Sequence, residues 1–318
     1  MTQKISFIYC IEHGQLANET LASIQSLRKF GGSLATETIY CVCPRPEKSL
    51  SPQTESILAS LNVEYIEVPL NNIYANYPLA NKPLACQYIE SIDKQSDYFI
   101  FLDSDTLIIN PLDDIIDPDV DICLSPVLVK NLGVENNNDV NYSYWKKIIQ
   151  EFDILNPVYT HTLIDNIRIL GYWNSGVILI KNNREIFSNW LAVFEKLYAS
   201  DMLPKERLYH TEQLSLSIVV QKYNYLFHEL DSKYNYHISN HRNLNEAHQI
   251  NDYDHISILH YHKLLQFSSF YFPFPKLSNA SSYYNQLLSI LKENELFPLP
   301  LPLQIRHFFG NLYYNYMK

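Results

Sequence analysis

The chain has 318 residues, 47% of them hydrophobic, with a formal net charge of −10; that is enough apolar material for one large core or two small ones. Lys and Arg total 24 against 34 Asp and Glu, with no sustained basic block, which excludes the electrostatic footprint of a nucleic-acid binder. The 7 glycines form neither GxGxxG nor GxxxxGK[ST], so any nucleotide is held without a dinucleotide fingerprint or a P-loop.

"KISFIYCI" opens the chain as a strand. It is too short, and too soon followed by Glu12 and His13, for a signal peptide or a membrane span. "NETLASIQSLRKF" reads as a helix with Asn18 as N-cap and Gly31 as its stop. In the next strand, "ETIYCVC", Cys41 and Cys43 share a face. With 5 cysteines and no CxxC, the thiols read as buried and free rather than as a zinc site, which places the chain in a reducing cytoplasm. "PQTESILASL" is a helix, "VEYIEVPL" a strand, and "NKPLACQYIESI" a helix with Asn81 near the cap and Pro83 in the first turn. "YFIFL" follows as a fourth strand, Tyr98 to Leu102. Such alternation builds a mostly parallel α/β sheet covered on both faces, with ligands beyond the carboxyl ends of the strands.

The second half is less regular. "VDICLSPVLV" and "SGVILIK" are strand-like, "ENNNDVNYSY" is a polar loop, and "REIFSNWLAVFEKLYAS" is a helix. "TEQLSLSIVVQKY" reads as a helix capped by Thr211, and "HISILHYH" as a late strand on which His260 and His262 point the same way. After Phe267 the chain becomes aromatic and Pro-rich, which sets a boundary between residues 1–267 and a helical, aromatic C-terminal extension, 268–318. The final "LQIRHFFGNLYYNYMK", with Arg306, His307 and Lys318, either packs on the main domain or lies on a membrane surface as an interfacial helix; packing is the favoured reading.

The fourth strand ends in two acids, Asp103 and Asp105, separated by Ser104. The same spacing recurs at Asp117/Asp119, Asp119/Asp121 and Asp252/Asp254, in polar or turn-like settings that suit solvated acids. Only the first pair follows a buried strand, where like charges call for a divalent cation with oxygen ligands. An aspartyl-nucleophile phosphohydrolase wants a hydroxyl four residues after the first acid, where this chain has Leu107.

"FIFLDSDTLIINPLDDI" resembles the metal-binding segment of nucleotide-sugar-dependent glycosyltransferases of the GT-A fold. "GYWNSGVILIKNN" is similar to their NSG segment, "HTEQLSLSI" to their [DE]Q helix start, "LDSKYNYH" to a Leu…Asn segment, and "ILHYHK" to a late His–Tyr. The five segments stand in family order over roughly residues 4–265. The resemblance implies that Asp103, Asp105 and His260 hold Mn²⁺ or Mg²⁺ on the diphosphate of a nucleoside-diphosphate sugar, with His262 as the rival to His260. It implies donor contacts from Lys82, Ser104, Asn174, Ser175 and Gly176, with Gly176 allowing close backbone approach. Glu212 and Gln213 would lie at the reacting sugar, Glu212 as a base if the enzyme inverts. "HYHKLLQF" departs from the glycine-containing, lysine-ending pattern of the glycogenin-related family, which leaves stereochemistry open. For the base, Glu12, Arg45 and Glu67 near early strand ends are the candidates.

The expected activity is therefore metal-dependent transfer of a sugar, from a UDP-sugar first, to a hydroxyl of a glycan, lipid-linked glycan or small acceptor. Two other classes stand beside it. A nucleotidyltransferase also uses paired acids but starts with a Gly- and Arg-rich loop, which "CIEHGQLANET" is not. A GT-A-like domain that binds without turnover has little use for both the aspartate pair and Glu212.

Overall fold

Strands that are apolar on both faces belong in the middle of a covered sheet. The computed structural model, which describes residues 3–203, 205–262, 282–294 and 296, shows that arrangement. Its first half runs β1 (Ile5–Cys10), α1 (Gln15–Phe30), β2 (Thr38–Cys43), α2 (Pro52–Ser60), β3 (Val63–Glu67), α3 (Asn81–Ile92) and β4 (Tyr98–Leu102). Then come β5 (Thr106–Ile108), β6 (Ile122–Pro126), α4 (Tyr142–Glu151), β7 (Tyr159–His161), β8 (Arg168–Leu170) and β9 (Trp173–Lys181). The last elements are α5 (Ile186–Tyr198), α6 (Thr211–Lys222), β10 (Phe227–Glu229), β11 (Tyr236–His237), β12 (Ile258–His260) and α7 (Ser282–Glu293).

Seven strands form the main sheet in the order β10-β6-β9-β4-β1-β2-β3. All pairings are parallel except those of β9, which runs antiparallel to β4 and β6. The exception has a local cause: Trp173 pairs with Pro126, so β9 starts at the end of the sheet where β6 stopped and no crossover returns the chain to the other end. Alternate strand residues feed two cores. Phe7, Tyr9, Ile100 and Leu102 pack with α1 and α2, while Ile8, Phe99, Phe101 and Ile178 pack with α3, α5 and α6.

Two helix starts differ from the sequence expectation. α1 begins at Gln15, before Asn18, because Gly14 takes a left-handed φ of 89° and its carbonyl receives the N–H groups of Ala17 and Asn18. Thr211 is the first helical residue of α6 rather than its cap, its hydroxyl donating to Leu208 O at 2.6 Å. α4 also starts inside the segment expected to be a loop. Gly31 ends α1 as expected, and Cys41 and Cys43 are buried and free.

A second sheet, β11-β12-β5, sits at the carboxyl ends of the main strands. β12 pairs antiparallel with β5, setting His260 opposite Thr106, and parallel with β11, setting His237 beside His260. Of the C-terminal extension, α7 lies against α1: Leu291 is buried in the shared core and Asn294 Nδ2 donates to Gln25 Oε1 at 2.6 Å. The final segment with Arg306, His307 and Lys318 lies outside the described residues. Among the described residues no helix is long and apolar enough to cross a membrane.

Candidate active site

β4 leaves the core at Leu102 and the chain turns at once. Thr106 donates from its N–H (3.2 Å) and its hydroxyl (2.7 Å) to Asp103 O. Asp103 and Asp105 therefore converge through a turn, not through the alternation of an extended strand. The other acid pairs stabilise local turns, with Asp117 and Asp252 accepting from the N–H groups of Asp119 and Asp254. Asp121 is buried under the N–H of Leu226.

β9 brings the second segment alongside. Asp103 N–H donates to Gly176 O at 2.8 Å. The register against β6 slips from Leu124↔Ile178 to Ser125↔Asn174. That irregularity leaves Ser175, Gly176 and Val177 unpaired on the β6 side, the kind of bulge that re-aims side chains beside active sites.

Lys82, in the first turn of α3, is a buried counter-ion rather than a solvated lysine. Its Nζ lies 2.7 Å from Asp103 Oδ1 and 3.2 Å from Glu212 Oε1. Burial disfavours the ammonium, but Asp103 and then Glu212 outweigh it and push the Lys82 pKa up. Burial raises both carboxyls, Lys82 offsetting part of the effect in each. Glu212 is 2% exposed and also accepts from Ser175 Oγ at 2.9 Å. Its own N–H donates to Tyr77 OH at 3.1 Å, which fixes the start of α6.

The histidine side is fixed by one chain of hydrogen bonds. Gly176 N–H can only donate, and it reaches Asn174 Oδ1 at 2.9 Å. That oxygen also accepts from Asn235 Nδ2 (3.0 Å), so Asn235 Oδ1 is left to accept from His260 Nδ1–H at 2.8 Å. His260 thus turns Nε2 toward Asp105 Oδ1, 3.2 Å away. Burial would lift the Asp105 carboxyl, but His260 and then His262 outweigh it and hold it well below the usual carboxylate range. Donor atoms of Asp103, Asp105 and His260 lie within 4.8 Å of one another, and two carboxylates with an imidazole are a fitting donor set for a divalent cation.

These groups line a cleft of about 440 Å³ that also takes in Ser104, Asn174, Ser175, Gln213 and His262. Ser104 faces inward, its hydroxyl accepting from Thr20 Oγ1 (2.8 Å) and donating to Cys10 O (3.3 Å). Gly176 sits behind the cleft. A Cβ there would lie 2.4 Å from His260 Cε1 and 2.9 Å from Asn174 Oδ1, so the glycine makes room for the His260 ring. Gly176→Ala is expected to displace His260 and weaken Mn²⁺ binding by about tenfold, read by calorimetry.

The expected late strand stops early. It ends at His260, and His262 follows in a left-handed conformation, φ 49°, because the chain turns away after Tyr261 N–H pairs with Asp105 O at 3.0 Å. Burial, and after it the charge of His260, depress the His262 pKa to about 3. Of the base candidates, Glu12 and Arg45 form a two-pronged ion pair at 2.6 Å, and Asn81 Nδ2 joins Glu12 at 2.7 Å. Glu67 is exposed and accepts from Tyr65 OH instead.

Sequence reasoning missed His237, Asn235 as a partner of His260, and Glu19. His237 could have been found only from strand register. Glu19 had a helical-period signal: one turn of α1 separates it from Gln15, whose Nε2 donates to it at 2.8 Å. Burial and the Asp105 charge raise the Glu19 pKa to about 7. The folded chain therefore holds this proton more tightly than the unfolded one. The associated stability is complete below the ordinary glutamate value and is lost as pH rises through about 7. With metal removed by EDTA, Glu19→Gln should raise the melting temperature at pH 8 and leave it nearly unchanged at pH 4.

The fold is similar to that of the galactosyltransferase LgtC, crystallised with donor and acceptor sugar analogues, at TM-score 0.53 and 14% identity over 93% of this chain and 98% of that one. It is also similar to the bifunctional glycosyltransferase WbbM in its apo form, at TM-score 0.55 and 13% identity over 91% of this chain and 52% of that one. No curated protein sequence matches the chain. A mostly parallel seven-stranded sheet with this cleft at its carboxyl end is the fold of the GT-A glycosyltransferases. The model of the Rhodobacterales glycosyltransferase domain family matches residues 7–224, and the chain belongs to that family.

Proposed function

We propose that the chain transfers a sugar from a nucleoside-diphosphate sugar, a UDP-sugar being the first donor to test, to a hydroxyl of a glycan, lipid-linked glycan or small acceptor. In this reading Asp103, Asp105 and His260 hold Mn²⁺ or Mg²⁺. The observation that carries it is the convergence of donor atoms of Asp103, Asp105 and His260 within 4.8 Å of one another at the carboxyl end of β4, a donor set that suits a divalent cation. When bound, the ion supplies Lewis-acid stabilisation of charge on the leaving nucleoside diphosphate.

The remaining roles belong to side chains. Lys82 adds a second positive charge at the edge of the diphosphate site. Asn174 and Gln213 offer amide groups to the sugar, and Ser175 orients Glu212. Because both Glu212 oxygens are engaged by Ser175 and Lys82, we assign Glu212 to holding the donor side rather than to deprotonating the acceptor. Gly176 acts through His260. The catalytic unit is residues 1–267, with 268–318 as a C-terminal extension whose helix α7 lies against α1, and the five free cysteines support a cytoplasmic site of action.

The test is a thermal-shift screen of nucleoside diphosphates and their sugars, with and without Mn²⁺. A ligand at a hundredfold excess over its Kd adds about 2.7 kcal/mol, a rise of several degrees. The reading expects that rise for one base and only with metal. No shift with any of them sinks it, while a shift without transfer to any hydroxyl acceptor favours a binding domain.

A further inference from the structure

Next to the three residues assigned to the cation lies an imidazole that this assignment does not use. His262 lines the same cleft and turns Nδ1 toward the second oxygen of Asp105, 3.8 Å away, too far for a hydrogen bond. Its ring stands 3.9 Å from that of His260, centroid to centroid. The two imidazoles therefore address the two oxygens of one carboxylate, His260 at Oδ1 and His262 at Oδ2.

The placement is built, not incidental. His262 adopts a left-handed backbone conformation that L residues take at a cost. Its far nitrogen, Nε2, is held by His237 Nδ1 at 2.7 Å. His237 is itself 2% exposed and is fixed by the pairing of β11 with β12. The tautomer that donates Nε2–H of His262 to His237 leaves the Nδ1 lone pair facing the cleft. A ligating histidine held through its other nitrogen is the usual support of a metal site. Donor nitrogens of His237, His260 and His262 fall within 4.8 Å of one another.

We infer that His262 is a fourth protein ligand beside Asp103, Asp105 and His260, with His237 as its positioning residue. The resulting set of two imidazoles and two carboxylates selects first-row transition ions against Mg²⁺. The chemical reason is that imidazole suits the later divalent ions of that row, whereas Mg²⁺ prefers oxygen and water. This rests on the reading of Asp103, Asp105 and His260 as the cation site.

The 318-residue chain, stripped with EDTA, is titrated separately with Co²⁺ and with Mg²⁺ by calorimetry, and the visible absorption of bound Co²⁺ is recorded. The unmodified chain should bind Co²⁺ more tightly than Mg²⁺. His262→Gln should weaken Co²⁺ by about tenfold or more and move its absorption band, while Mg²⁺ changes by less than about threefold. His237→Phe should shift the Co²⁺ band in the same direction, and His237→Gln, which keeps a hydrogen-bonding group, should restore part of it. Circular dichroism confirms that each variant is folded. Asp105→Asn should lose both ions. If it does so while His262→Gln keeps Co²⁺ affinity and spectrum unchanged, the role of His262 is overturned and the cation site stands. Equal losses of both ions in His262→Gln overturn the selectivity. Failure of the unmodified chain to bind either ion overturns the cation reading and this inference together.

Discussion

Replacing Asp105 with asparagine is expected to lower sugar transfer by about 10²–10³-fold and to abolish the Mn²⁺-dependent thermal shift with the donor nucleotide. The substitution keeps shape and removes charge. Asp105 is the carboxylate that both imidazoles address, at 3.2 Å and 3.8 Å, and the one whose backbone carbonyl anchors Tyr261 at 3.0 Å. An amide preserves the backbone contact but offers the ion one neutral oxygen. In metal-free protein the sign of the pH effect follows from the depressed carboxyl. The stability Asp105 contributes is present above the ordinary carboxylate range and lost as pH falls, so wild type and variant should converge in acid. Retention of the Mn²⁺-dependent shift would place the ion elsewhere.

Lys82→Met should destabilise the chain by about 3–5 kcal/mol in denaturant unfolding, because it leaves Asp103 and Glu212 without their shared counter-ion. Lys82 and Glu212 have side chains 13% and 3% exposed, so solvent cannot substitute for the lost ammonium. Both carboxyls already sit above their ordinary range through burial and would rise further. The variant should therefore recover stability as pH falls, opposite in sign to the Asp105 effect. Adding Glu212→Gln to Lys82→Met should restore part of the loss, a coupling that a double-mutant cycle reads directly. Equal stability of wild type and Lys82→Met would mean that the lysine serves the donor phosphates alone.

The parts legible in the sequence were those encoded by short-range pattern. Tyr98–Leu102 is apolar throughout and ends in acids, so its place in a covered sheet followed from residue order. The helix at Asn81–Ile92 carried its own start signal in Pro83. What stayed hidden depends on register between distant segments. No local pattern says that Thr106 faces His260 or that His237 lies beside it, since β5, β11 and β12 are two or three residues long. The partnership of Lys82 with Glu212 joins α3 to α6 across 130 positions (212 − 82). Asn18 misled because a good capping residue lay one turn inside a helix that Gly14 had already opened.

The pairing of β5 with β12 has a consequence in time. Every strand of the main sheet has been translated by residue 229, the end of β10, yet the histidine of the proposed cation site arrives only with β12. A nascent chain can complete its large sheet while the proposed site still lacks its imidazoles. In the proposed reading the site is completed after its scaffold, and a premature stop between residues 230 and 259 would leave all seven main strands without His260 or His262.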